Sequence, residues 1–245
     1  MLSPAISREA IAIATGAALA GAAAILTYGM VAAESEVFGP TLVAPPLPQQ
    51  LALTFDDGPN PTVTPRLLEI LARHNVRATF FLIGQFVLRE PALTREIAAA
   101  GHVVGNHTMH HPYLPKLSSR NILREMSDCN RALEDTLGQP VELFRAPHGA
   151  RCPAVFRAAR SLHLQIVQWN LIVQDWQPVP AATIHARVAR GIAHNRSSGR
   201  GTNVVLHDGG QNSLGEPRLP TVEAVAMLLQ DLPSDTVFVV PPHWN

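Results

Sequence analysis

The chain has 245 residues, 47% of them apolar, which suits one barrel-sized domain with a single large core. Its 19 basic residues balance 19 acidic ones, so there is no electrostatic basis for binding nucleic acid or a strongly anionic partner. The absence of an internal repeat and of a glycine-rich phosphate loop sets aside repeat architectures and P-loop nucleotide chemistry.

Arg8 precedes an uncharged run from Ala10 to Ala33, and Glu34 and Glu36 then lead into a Pro-containing stretch through Pro48. An apolar run about long enough to span a bilayer, at the extreme N-terminus, reads as a secretory signal or a membrane anchor. Val31-Ala32-Ala33 offers small residues for signal peptidase, and a buried core helix is the competing reading. Residues 1–33 are therefore expected to export the protein, 34–48 to act as a linker, and 49–245 to form the folded domain, facing outside. On this reading a chain beginning near Pro48 keeps its fold.

Beyond Pro48, apolar runs rich in β-branched and aromatic residues predict strands near 51–55, 76–82, 102–105, 142–145, 164–169, 203–206 and 236–240. Helical patterns fill most of the intervals. Continuously apolar strands joined by long connections predict a parallel sheet covered on both faces, either a barrel or a doubly wound sheet. In both, chemistry gathers at the carboxyl ends of the strands. Asp56-Asp57 follow the first strand, Asn106-His107 the third, Arg145 ends the fourth, Asp175-Trp176 trail the fifth, and His207-Asp208 close the sixth. Five polar clusters would then share one rim. The stretch 191–201 reads as a surface loop, and 209–218 as a loop over the rim that can touch substrate. Cys129 falls in a helical pattern and Cys152 in a loop, so whether they bridge is a matter of geometry.

Two histidines at i, i+4, His107 and His111, together with one distant aspartate supply a complete hydrolytic metal site. The neighbouring aspartate is left free to act as a base. Taken singly, each of these features has an ordinary alternative: a solvated turn for adjacent aspartates, a surface ion pair for Arg145, a core histidine for His207.

Thr54-Phe-Asp-Asp-Gly-Pro59, His107-Thr-Met-His-His111, Arg145-Ala-Pro-His-Gly149, Asp175-Trp176 and Val204-Val-Leu-His-Asp208 resemble the five ordered motifs of the polysaccharide deacetylase family, carbohydrate esterase family four. The resemblance covers roughly residues 49 to 245. It implies a deformed (β/α) barrel with about seven parallel strands and a metal-dependent removal of acetyl groups from sugars. Asp57, His107 and His111 resemble the metal ligands, with zinc expected and cobalt or nickel as the other candidates. Asp56 resembles the general base, Arg145 its paired cation, His207 the general acid and Asp175 the partner that orients it. The backbone N–H near His148 is implied as an oxyanion donor, and Trp176 and Leu206 as walls of the acetyl pocket. The other histidines, His74, His102, His110, His163, His185, His194 and His243, match no role, with His110 notable for lying between two ligands.

The sequence departs from the family pattern at Ile172, where another aspartate is frequent, and at His148, where tyrosine is frequent. The resemblance implies a monomeric enzyme acting on an acetylated polysaccharide, peptidoglycan or a chitin-like chain. Two rivals stand beside it: an O-acetyl esterase on a xylan-like glycan, and a catalytically silent carbohydrate-binding protein on the same fold.

Overall fold

A computed structural model describes residues 8–242 and Trp244, with the side chains of 8–16 and Ala18 left out of the description. The first seven residues of the expected N-terminal segment, and His243, lie outside the described residues. Eight strands run parallel: β1 (Gln50–Gly58), β2 (Thr79–Leu82), β3 (Val103–Asn106), β4 (Leu143–Phe144), β5 (Gln165–Ile166), β6 (Leu171–Ile172), β7 (Thr202–His207) and β8 (Val237–Phe238). Their spatial order is β5-β4-β3-β2-β1-β7-β6, and β8 pairs with the start of β1. This curled sheet is the expected deformed barrel, open between β5 and β6.

One strand is missing from the sequence reading. β6 has two residues, one of them the exposed Ile172, so it carries no apolar run, and the predicted strand at 164–169 shortens to β5. Asp175 consequently trails β6, and His207 ends β7.

Helices α2 (Thr64–Arg73), α3 (Gly84–Arg89), α4 (Pro91–Ala99), α5 (Ser119–Leu137), α6 (Pro153–Ser161), α7 (Ala181–Ser197) and α8 (Leu219–Asp231) follow α1 (Arg8–Val31). Their boundaries are written locally. Proline within the first two positions opens α4, α6 and α8, where a missing N–H costs no hydrogen bond. Ser118 caps α5 by accepting from the Asn121 N–H, and Gly138 ends it at φ 68°. The outward side chains of the strands, such as Leu53, Phe55, Phe80, Val204 and Leu206, form the main core with Leu67, Leu71, Ile97, Leu133, Val188 and Val225. Cys129 is buried in α5 and both cysteines are free.

The stretch 34–48 lies along the domain and covers the open side of the sheet. Leu42 bridges Val167 in parallel, its N–H donating to the Ile166 carbonyl and its carbonyl accepting from the Gln168 N–H. Asn203 Nδ2 on β7 donates to the carbonyls of both Val43 and Gln168, which ties this segment to the far side of the gap. Arg151 is fully buried, and its guanidinium donates to the carbonyls of Ala32 and Ser35 and to Thr41 Oγ1. A chain starting at Pro48 loses these hydrogen bonds, each worth about 1.5–3 kcal/mol when the donor is charged, and should unfold at distinctly lower urea than one starting at Met30. Equal unfolding midpoints for the two chains would show that the segment carries no stability.

Before this segment, Leu19, Ile25, Leu26 and Tyr28 of α1 are all more than half exposed, while the end of the helix is tied to the domain where the Met30 carbonyl accepts from the Arg151 N–H. Among the described residues no helix is long and apolar enough to cross a membrane.

Candidate active site

Adjacent residues in a strand point to opposite faces, so Asp56 and Asp57 would ordinarily not share a site. A bulge removes the conflict. Asp56 pairs with Phe81 and Gly58 with Leu82, leaving Asp57 as the extra residue, at φ 73°. Both carboxylates thereby face one cleft of about 620 Å³ at the carboxyl ends of the strands.

Asp56 Oδ1 accepts from Arg145 Nη1 at 2.8 Å. Arg145 has no exposed surface, and its other donors go to Thr54 Oγ1 at 2.7 Å and the Gln168 carbonyl at 2.8 Å. The rings of Phe81 and Trp169 pack on it at 4.2 and 5.5 Å. A guanidinium fixed on this many sides holds Asp56 in one orientation.

Asp57 Oδ1 lies 3.4 Å from His107 Nε2 and 3.2 Å from His111 Nε2. Burial opposes its charge, yet the His107 and His111 imidazoles hold the carboxyl well below the usual carboxylate range. His107 Nδ1 is bonded to the Arg145 carbonyl at 2.8 Å, which directs the Nε2 lone pair toward Asp57. Burial first, and then the neighbouring His107, lower His111 to about 4, so its ring is neutral at physiological pH. One ligand atom from each of Asp57, His107 and His111 falls within 4.8 Å of the others, and Asp57 Oδ1 is buried with no hydrogen-bond partner. Two imidazole nitrogens and an unsatisfied carboxylate oxygen, gathered within 4.8 Å, fit a divalent ion. The loop between the two histidines is set by Asn106 Oδ1, which accepts from the Thr108 N–H, and by Thr108 Oγ1, which accepts from the His111 N–H. His110 turns outward to Glu125 and stays out of the Asp57–His107–His111 cluster.

Across the cleft, His207 Nδ1 bonds Asp175 Oδ1 at 2.8 Å, while Asp175 Oδ2 accepts from the His207 N–H and from Thr221 Oγ1. Burial disfavours the imidazolium, but the Asp175 carboxylate outweighs it and carries His207 up to about 9. A proton is therefore held on this ring across neutral pH. Trp176 packs edge-on against His207 at 4.9 Å and stays 40% exposed on the cleft wall. His148, at φ 58°, presents its ring to His111 and Tyr113.

Leu206 is a correction. It is 1% exposed and packs outward in the main core, whereas Val205 lines the cleft. Because side chains alternate along β7, His207 facing the cleft requires Val205 beside it and Leu206 on the other face. Trp169, Ile172, Gln174, Gln211, Asn212, Glu216 and Arg218 also line the cleft without having been singled out as site residues. Gln211 lies beside His111, and Thr221 reaches Asp175 from the first turn of α8. The loop 209–218 packs so closely on the end of β1 that a Cβ at Gly209 would sit 2.1 Å from the Asp57 carbonyl oxygen.

The family model described as Polysaccharide deacetylase matches residues 44–167. The chain is 36% identical over 183 residues to a peptidoglycan-N-acetylglucosamine deacetylase of Bacillus cereus, covering 74% of this chain and 81% of that one. It is 39% identical over 159 residues to a chitooligosaccharide deacetylase of Sinorhizobium fredii, covering 64% and 71%. A solved peptidoglycan N-acetylglucosamine deacetylase superposes with a TM-score of 0.72 at 30% identity, over 82% of this chain and 90% of the other.

Proposed function

This chain belongs to the polysaccharide deacetylase family, and on that premise we propose that it is an exported, metal-dependent hydrolase that removes N-acetyl groups from an amino-sugar polysaccharide. One observation carries the reading: a carboxylate locked on a buried arginine, an imidazole locked on a buried carboxylate, and the Asp57–His107–His111 cluster all open into the same cleft. When bound by that cluster, a divalent ion, zinc in this proposal with cobalt and nickel as the alternatives, supplies Lewis acidity that acidifies water and polarises a carbonyl.

The chain's own residues do the rest. Asp56, held by Arg145, takes the proton of the attacking water at its free oxygen. The cleft walls Trp176 and Val205 receive the acetyl methyl. The His207 imidazolium, kept charged by Asp175, gives its proton to the amide nitrogen as the carbon–nitrogen bond breaks, so that acetate and a free amine leave. An amine is a poor leaving group unless protonated, and a proton held up to about pH 9 meets that need.

Export is proposed from the uncharged run Ala10–Ala33, most of which falls in α1. Metal dependence is tested by chelation. Dialysis against a chelator should abolish acetate release, and one equivalent of zinc per chain should restore it. Full activity in the chelated, metal-free protein would reject this part of the proposal.

A further inference from the structure

Arg218 is the single arginine or lysine among the residues that line the cleft. Arg145 lies beneath the floor, committed to Asp56. The Arg218 side chain is 12% exposed, its Nη1 donates to the Pro217 carbonyl at 2.9 Å and its Nη2 to Glu216 Oε1 at 2.7 Å. Its Nε is buried and has no partner, while each Nη has a second N–H beyond the bond it makes. A guanidinium carries five N–H donors, so this one keeps donors in reserve. Glu216 is likewise half used: Oε2 is buried without a partner.

The loop has anchors besides the ion pair: Gly209 packs against the Asp57 carbonyl at the end of β1, and the Glu216 carbonyl accepts from Asn60 Nδ2 at 2.8 Å, while the Glu216 carboxylate lies against Gly210. Amide hydrolysis makes no demand on Arg218, since base, acid and metal cluster all come from other elements. The cleft thus holds one guanidinium with donors beyond its two bonds, in a lining that also includes Trp169, Trp176, Ile172 and Val205.

We propose that Arg218 is a specificity residue that binds a carboxylate on the sugar flanking the acetamido sugar, so that the enzyme favours an anionic glycan over a neutral chitin-type chain. Glu216 holds the fork when no substrate is bound and competes with the substrate carboxylate. The planar guanidinium matches a carboxylate in a bidentate manner, a geometry that a lysine does not reproduce.

The inference rests on the deacetylase reading, and the test separates the two. Acetate release is measured as kcat/KM on N-acetylchitotetraose and on a tetrasaccharide whose alternate sugars carry a 3-O-lactyl carboxylate. Wild type should favour the anionic tetrasaccharide. Arg218→Gln should lower the anionic-to-neutral ratio by about tenfold, the scale of one charge-assisted pair. Glu216→Gln, which removes the competitor, should raise the ratio. A residue that only pinned the loop would depress both substrates alike and leave the ratio at its wild-type value in both variants, and that result overturns the proposal. If wild type releases acetate from neither tetrasaccharide, the deacetylase reading fails and the inference falls with it.

Discussion

Asp56→Asn should lower deacetylation by about 10²- to 10⁴-fold while leaving the metal content of the purified protein near that of wild type. Asparagine keeps the shape of the side chain and one oxygen for Arg145, but it cannot accept the proton of the attacking water. Asp57→Asn should behave differently. Its Oδ1 is the oxygen lying 3.4 and 3.2 Å from the two imidazoles, so neutralising it weakens the cluster itself, and metal should be lost during purification. Metal analysis beside acetate-release kinetics distinguishes the two carboxylates. Equal metal loss in both variants would mean that the roles of base and ligand are reversed.

His207→Ala should cost on the order of 10²-fold or more on an N-acetyl sugar, and much less on an activated aryl acetate. The amide nitrogen has to be protonated to leave, whereas an activated phenoxide leaves without help. Asp175→Asn tests the same assignment through pH. Asp175 raises His207 to about 9, so activity that needs the imidazolium is complete at neutral pH and is lost as pH rises through that value. Without the carboxylate the imidazolium is less stable, and the alkaline limb of kcat/KM should move to lower pH. Equal losses on amide and ester, or an alkaline limb that stays in place, would remove His207 from the role of acid.

Four of the five polar clusters were legible in the sequence because each follows an apolar run that had to be a strand, and a parallel sheet collects such strand ends on one rim; Asp175-Trp176 instead follows the two-residue β6, which carries no such run. Asp57 shows where that logic stops. Strand alternation alone turns it away from Asp56, and only a bulge, which no local residue pattern announced, brings the two together. Leu206 shows the opposite failure: alternation was available, and applied from His207 it selects Val205 for the cleft. Thr221 and Arg151 had no signal, since a threonine in a helix's first turn and an arginine in a loop are ordinary until their partners, Asp175 and the carbonyls of Ala32 and Ser35, are seen in space. The stretch 34–48 read as a linker because its prolines and polar residues carry no periodicity. It is held instead by backbone hydrogen bonds and by the side chains of Arg151 and Asn203, which belong to other parts of the chain.

The central claim, N-deacetylation of an amino-sugar polymer, is tested most directly by counting new primary amines against acetate released from peptidoglycan strands and chitooligosaccharides, with acetylxylan as the ester comparison. The account predicts one amine for each acetate on an N-acetylated substrate, at a rate that Asp56→Asn removes. Acetate released from acetylxylan alone would make the protein an O-acetyl esterase, and binding to these glycans with no acetate from any of them would make it a silent carbohydrate-binding protein.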